Sequence, residues 1–117
     1  MVIRQGEVYW VDLPDPVGSG PGYRRPCVVI QNDAVNSSHF AKVIVVVLST
    51  NMKLATRPGN VGLQAGEGGV PKQCVVNVSQ ITAVEKMLLG ERLGQLSRAR
   101  VYEILDGLRL LTEPRDI

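Results

Sequence analysis

Hydrophobic residues in this chain of 117 recur mostly at alternate positions or in short unbroken runs, and in one segment at the three- and four-residue spacing of a helix. Glu7-Val8-Tyr9-Trp10-Val11-Asp12 alternates in part, is rich in strand formers and is stopped by Leu13-Pro14-Asp15-Pro16, which predicts a first strand. Val17-Gly18-Ser19-Gly20-Pro21-Gly22 cannot form regular structure. It is expected to be a mobile loop that closes on a ligand, because its glycines carry conformational entropy that ordering must overcome. The runs from Pro26 to Gln31 and from Lys42 to Leu48 are apolar and rich in β-branched residues, as buried strands are. Between them, Asn32 and Asp33 can cap a short helix through Asn36 to Ser38.

Further strands are predicted at Gly59 to Leu63 and at Cys74 to Val78, separated by the glycine-rich hairpin region Ala65 to Gly69, and Ile81 to Glu85 continues the sheet after a bend. Val101, Ile104, Leu105, Leu108 and Leu111 fall on one face of a helix that Ser97 caps and that Pro114 follows. About six short strands and one amphipathic helix make a mainly β (α+β) single domain, residues 1–117, built as a strongly bent sheet or small barrel with the helix packed on it. At 44% hydrophobic and 21% charged the composition is that of an ordinary globular domain. The longest apolar run, Val43 to Leu48, is too short to span a bilayer, so no membrane partner is expected. Met1 to Gly6 has no apolar stretch of signal-peptide length, which predicts a cytoplasmic protein with Cys27 and Cys74 reduced. Two separated cysteines and one histidine make no metal-site pattern, and no metal or cofactor is expected.

Charge changes the picture once it is divided along the chain. Six basic residues (Arg24, Arg25, Lys42, Lys53, Arg57, Lys72) against Asp33 and Glu67 give the middle +4, within a net charge of +2. A basic middle suits a phosphate backbone, or is simply a solvated loop surface. Cutting RNA without a metal requires attack by the substrate's own 2′-hydroxyl, a cation for the crowded phosphorane and a hydrogen-bond donor to its oxygens. Arg25, fixed at the head of a buried strand, can grip two phosphate oxygens with its guanidinium, although Arg24 and Arg25 also read as strand-edge charges. Ser49, Thr50 and Asn51 cluster after the most hydrophobic strand, as donors or as helix caps. Asn77, Ser79 and Gln80 can read base edges on an unstacked strand, or be the polar face of a half-exposed sheet. Tyr23 offers a ring on which a base can stack. His39 would be the usual proton carrier at neutral pH but lies in a polar turn.

Taken together, Gly6 to Leu13, Val17-Gly18-Ser19, Arg25-Pro26 leading into Val28-Val29-Ile30-Gln31-Asn32-Asp33 with Asn36, Val75 to Ile81, and Leu93 to Leu111 resemble the MazF/PemK family of toxin ribonucleases. The resemblance covers nearly the whole chain. It implies an SH3-like barrel, sequence-specific cleavage of single-stranded RNA, a homodimer with RNA across its interface, and a cognate antitoxin protein whose extended tail occupies the same groove. The family's catalytic arginine falls on Arg25 and its threonine in the Ser49-Thr50 pair, here aligned on Ser49. Tyr23, Arg24, Gln31, Asn32, Asn36, Asn51, Asn77 and Gln80 are the expected RNA contacts. The chain departs from many relatives at Gly20, where they carry glutamate. At Asn77 and Ser79 some members have an arginine and an aspartate proposed as acid and base, so the general base here is unassigned. Two other readings stay open at this point: a non-catalytic gyrase-binding toxin of the CcdB type, which lacks its C-terminal Trp-Gly-Ile here, and an inactive RNA-binding barrel.

Overall fold

Alternation is missing from the central apolar runs because those strands have core on both faces. The computed structural model describes residues 2–14 and 23–116; the expected loop Val17 to Gly22 lies outside them. Six strands form one antiparallel sheet: β1 (Glu7–Leu13), β2 (Tyr23–Val29), β3 (Lys42–Ser49), β4 (Val61–Leu63), β5 (Cys74–Glu85) and β6 (Leu89–Gln95), in the order β4-β5-β3-β2-β1-β6. Two α-helices accompany them, α1 (Asp33–Asn36) and α2 (Arg98–Thr112). On one face Val8, Val28, Val46, Leu48, Leu63 and Val76 pack with Ile104 of α2. On the other, Tyr9, Val11, Cys27, Val29, Val45 and Val47 pack with Ile3 and Leu89. Successive side chains of β2 and β3 therefore enter opposite cores, and both cores ask for apolar residues.

The sheet curls into a half-barrel, the architecture expected from six strands and a closing helix. Beyond Val46↔Ile81 the next β3–β5 pair is Leu48↔Val76, so two residues of β3 stand opposite five of β5. The surplus residues bulge and bend β5, which lets its first half pair with both β3 and β4. The bend expected between Val78 and Ile81 is thus a bulge inside one strand. The sixth strand is instead β6, which the pattern of residues did not reveal. It pairs with β1 through two register shifts.

Curling brings the β4–β5 connection against β6. Gly69, at φ +78°, lies so close that a β-carbon would stand 2.0 Å from the Leu93 carbonyl oxygen. Only glycine fits that approach. Arg100 of α2 then ties the same connection down, its Nε and Nη2 donating to the two carboxylate oxygens of Glu67 at 2.9 and 3.0 Å. Ser97 caps α2 as expected, accepting from the Arg100 backbone N–H.

Candidate active site

Beyond the pair Cys27↔Val47 the β2–β3 ladder ends, and the first half of β2 parts from β3. The gap is the mouth of a cavity of about 280 Å³. Arg24, Arg25 and Pro26 reach it from β2, Thr50 from just past β3, and Trp10 from β1. Its fourth wall is the segment leading into β5, with Val70, Pro71, Lys72 and Cys74. Trp10 is opposite Pro26 in the ladder and Asp12 opposite Arg24, which makes Trp10 and Arg24 diagonal neighbours on one face. The Arg24 guanidinium carbon lies over the indole ring, 4.9 Å from its centre.

Among the described residues, three cations thus share one small, largely apolar cavity with one hydroxyl. None of the ion pairs among the described residues uses Arg24, Arg25 or Lys72. Cys74 is buried, and burial together with the charge of Glu67 pushes its thiol above the ordinary range, so it stays protonated at neutral pH. Among the described residues that line the cavity there is neither a carboxylate nor a histidine.

Of the expected pair of hydroxyls, Thr50 lines the cavity together with Arg25, while Ser49, at the end of β3, is not among the lining residues. The Ser49 hydroxyl oxygen accepts the Asn51 backbone N–H at 3.1 Å and shapes the turn. Several expected RNA contacts are likewise occupied within the fold. Asn51 caps a short 3-10 helix, Met52–Thr56, and Asn32 caps α1 by accepting the Val35 N–H at 3.0 Å. Gln31 and Asn36 are buried and bound to each other: Gln31 Nε2 donates to Asn36 Oδ1 at 2.9 Å, and Asn36 Nδ2 donates to the Gln31 carbonyl at 2.8 Å. Both lie past the far end of β2, Gln31 about 20 Å along the chain from Arg25 at ~3.3 Å per strand residue. Asn77 is buried in the β5 bulge, its Oδ1 accepting from Asn60 Nδ2 and Ser79 Oγ. Gln80 is half-buried in the same bulge. Tyr23 is exposed at the start of β2 and, like His39 in the turn after α1, does not line the cavity. Sequence reasoning singled out neither Trp10 nor Pro71 for this site, and Lys72 only as part of the basic middle.

Residues 4–112 match the family model described as PemK-like, MazF-like toxin of type II toxin-antitoxin system. The chain belongs to this family. It is 44% identical over 109 residues to Endoribonuclease MazF6 of Mycobacterium tuberculosis, covering 93% of this chain and 96% of that one. Endoribonuclease MazF of Staphylococcus epidermidis is 34% identical over 107 residues, covering 92% and 88%. Among solved structures, an endoribonuclease from a mycobacterial species superposes with a TM-score of 0.76 at 27% identity, over 99% of this chain and 97% of that one. Another, in complex with its cognate antitoxin, gives 0.73 at 28% identity, over 97% and 99%. The MazF/PemK fold is thus matched end to end.

Proposed function

We propose that this chain is the toxin of a type II toxin–antitoxin system and acts as a metal-independent endoribonuclease on single-stranded RNA, with its centre at Arg25 and Thr50. Family membership and the named endoribonuclease relatives support the activity. The single observation that carries the assignment of the centre is the cavity that Arg25, Thr50, Arg24 and Lys72 share. In this reading the 2′-oxygen attacks the adjacent phosphorus and the 5′-oxygen leaves, giving a cyclic phosphate and a 5′-hydroxyl. Charge accumulates on the non-bridging oxygens, where the Arg25 guanidinium offers two parallel N–H groups and full positive charge. The Thr50 hydroxyl donates one further hydrogen bond to the same oxygens. Arginine is too weak an acid to serve as base, so Arg25 stabilises charge while water takes the proton from the 2′-hydroxyl and water delivers one to the departing 5′-oxygen.

The proposed setting is the cytoplasm, with a cognate antitoxin protein as inhibitor and a second copy of the chain as partner. Ile44 and Ile81 support the dimer: they are exposed diagonal neighbours on one face of the β3–β5 ladder, apolar surface of the kind closed two-fold assemblies cover.

Incubation of the purified protein with a long single-stranded RNA in EDTA tests the activity. Discrete cuts with 5′-hydroxyl ends are expected, and none from a folded Arg25→Ala protein. Binding without cuts would instead identify an inactive RNA-binding barrel. Neither binding nor cuts would return the gyrase-binding alternative.

A further inference from the structure

Arg24 and Trp10 have no work in the reaction just described, yet they form the most defined side-chain arrangement in the cavity. The arginine is exposed while its guanidinium rests over the indole, and no described carboxylate pairs with it. An exposed cation–π pair adds little to folding, so stability does not account for a tryptophan at this place. The stack does hold a planar, charged group in one orientation before any ligand arrives, which lowers the ordering cost of binding. Guanidinium planes and aromatic rings are the two surfaces on which proteins stack unpaired bases of RNA. Pro26 and Pro71 add rigid apolar walls, and Lys72 and Thr50 put donors at the rim. At about 280 Å³ the space is at the lower end of small-molecule sites, the scale of one nucleotide.

We infer that the Trp10–Arg24 stack is the seat of one unpaired nucleobase, held next to the phosphate that Arg25 grips. The inference rests on the ribonuclease reading and adds to it a residue pair that positions the substrate. Seating a base here fixes the neighbouring sugar and phosphate relative to Arg25 and Thr50, so the stack acts on binding and register rather than on the barrier itself.

Trp10 is the only tryptophan in the chain, so its emission reports on this site alone. A short RNA that the protein cuts is prepared in fully 2′-O-methylated form, which cannot undergo the reaction, and titrated into the full-length protein. Saturable change in Trp10 emission is expected. Abasic substitution at one nucleotide should abolish that change and weaken binding about tenfold, the lower part of the range for a base stacked on a side chain, while abasic substitution elsewhere leaves the emission response. Arg24→Lys, which keeps charge and loses the plane, should raise KM about tenfold with a much smaller effect on kcat, and Trp10→Phe should fall between it and wild type. Thermal unfolding of both variants checks that they fold. The inference is overturned if folded Arg24→Lys and Trp10→Ala cut RNA with wild-type KM, or if Trp10 emission ignores an RNA that the wild-type protein cuts. Failure of the wild-type protein to bind or cut any RNA is a separate result, which overturns the ribonuclease reading and this inference with it.

Discussion

Ser49 and Thr50 are adjacent, and in an extended chain adjacent side chains point to opposite sides. Val47 and Cys27 share one core with Tyr9, Leu48 belongs to the other with Val8, and Ser49 ends the strand with its hydroxyl turned to the Asn51 N–H. Thr50 lies past the strand end and lines the cavity with Arg25. Thr50→Ala is expected to lower kcat about 100-fold, the usual effect of losing one donor to an oxyanion, while Ser49→Ala changes kcat only a few-fold. A continuous assay on a short reporter RNA measures both, and the opposite order would make Ser49 the functional hydroxyl. Asn36 belongs to a different kind of site. Removing its amide leaves Gln31 buried with an unmet donor, so Asn36→Ala should cost about 2 kcal/mol in urea unfolding and leave KM for RNA unchanged. Here the sequence was legible only in part. Residue type suits Arg25 to a phosphate, but an amide that reads a base and one that satisfies a buried turn are the same residue. Asn32, Asn51, Gln31 and Asn36 each have a partner within the fold, up to 13 positions away in the chain, and none of them lines the cavity. Trp10 joined it because the β1–β2 register sets it beside Arg24, a pairing that no local pattern encodes.

At the level of elements, what the chain encodes locally was readable and what the edges decide was not. The apolar runs of β2 and β3, the cap at Ser97 and the face of α2 are local signals; they formed, with β2 shifted to Tyr23–Val29 and Leu111 of the helix face left exposed. Leu89-Gly90-Glu91-Arg92-Leu93-Gly94-Gln95 has two glycines, two charges and no alternation, yet it is a strand because β1 offers it an open edge and Glu7 accepts from Arg92. Closure of the half-barrel depends on the other edge. Gly69→Ala should destabilise the fold by about 2–3 kcal/mol, since a positive φ and the Leu93 carbonyl both oppose a β-carbon, and the urea midpoint gives the measure. The Glu67–Arg100 tie makes the same connection sensitive to acid. The hydrogen bonds from Arg100, the largest influence, and from the Gln64 N–H hold the Glu67 carboxyl below its ordinary pKa. Folding thus favours the deprotonated form: the contribution is fully present above the ordinary glutamate value and is lost as pH falls through the lowered one. Glu67→Gln should remove about 1 kcal/mol at neutral pH and flatten this limb of the stability–pH profile, the figure reflecting partial exposure of both partners.

For the whole molecule, the fold class was accessible because six strands and one helix with two-sided apolar demand leave few architectures, and the matched family has this one. Charge is the molecular property that the fold reorganises most. Along the chain the basic residues are spread from Arg24 to Lys72, whereas in space Arg24, Arg25 and Lys72 converge on one cavity of a protein whose net charge is only +2. Binding to RNA should consequently depend on salt through those three groups. Each phosphate neutralised on a single strand contributes about −0.7 to the slope of log K against log salt, so three contacts predict a slope of about −2. Lys72→Ala should reduce its magnitude by about 0.7 and weaken binding evenly across RNA sequences, because a point charge on phosphate carries no base information. Arg109→Ala, on α2 and outside the cavity, supplies the control and should leave the slope unchanged. Fluorescence-polarisation titrations of 2′-O-methyl RNA at several salt concentrations measure the slopes. If the helix substitution lowers the slope and Lys72→Ala does not, the phosphate path runs over α2, and the cavity loses its claim to the backbone.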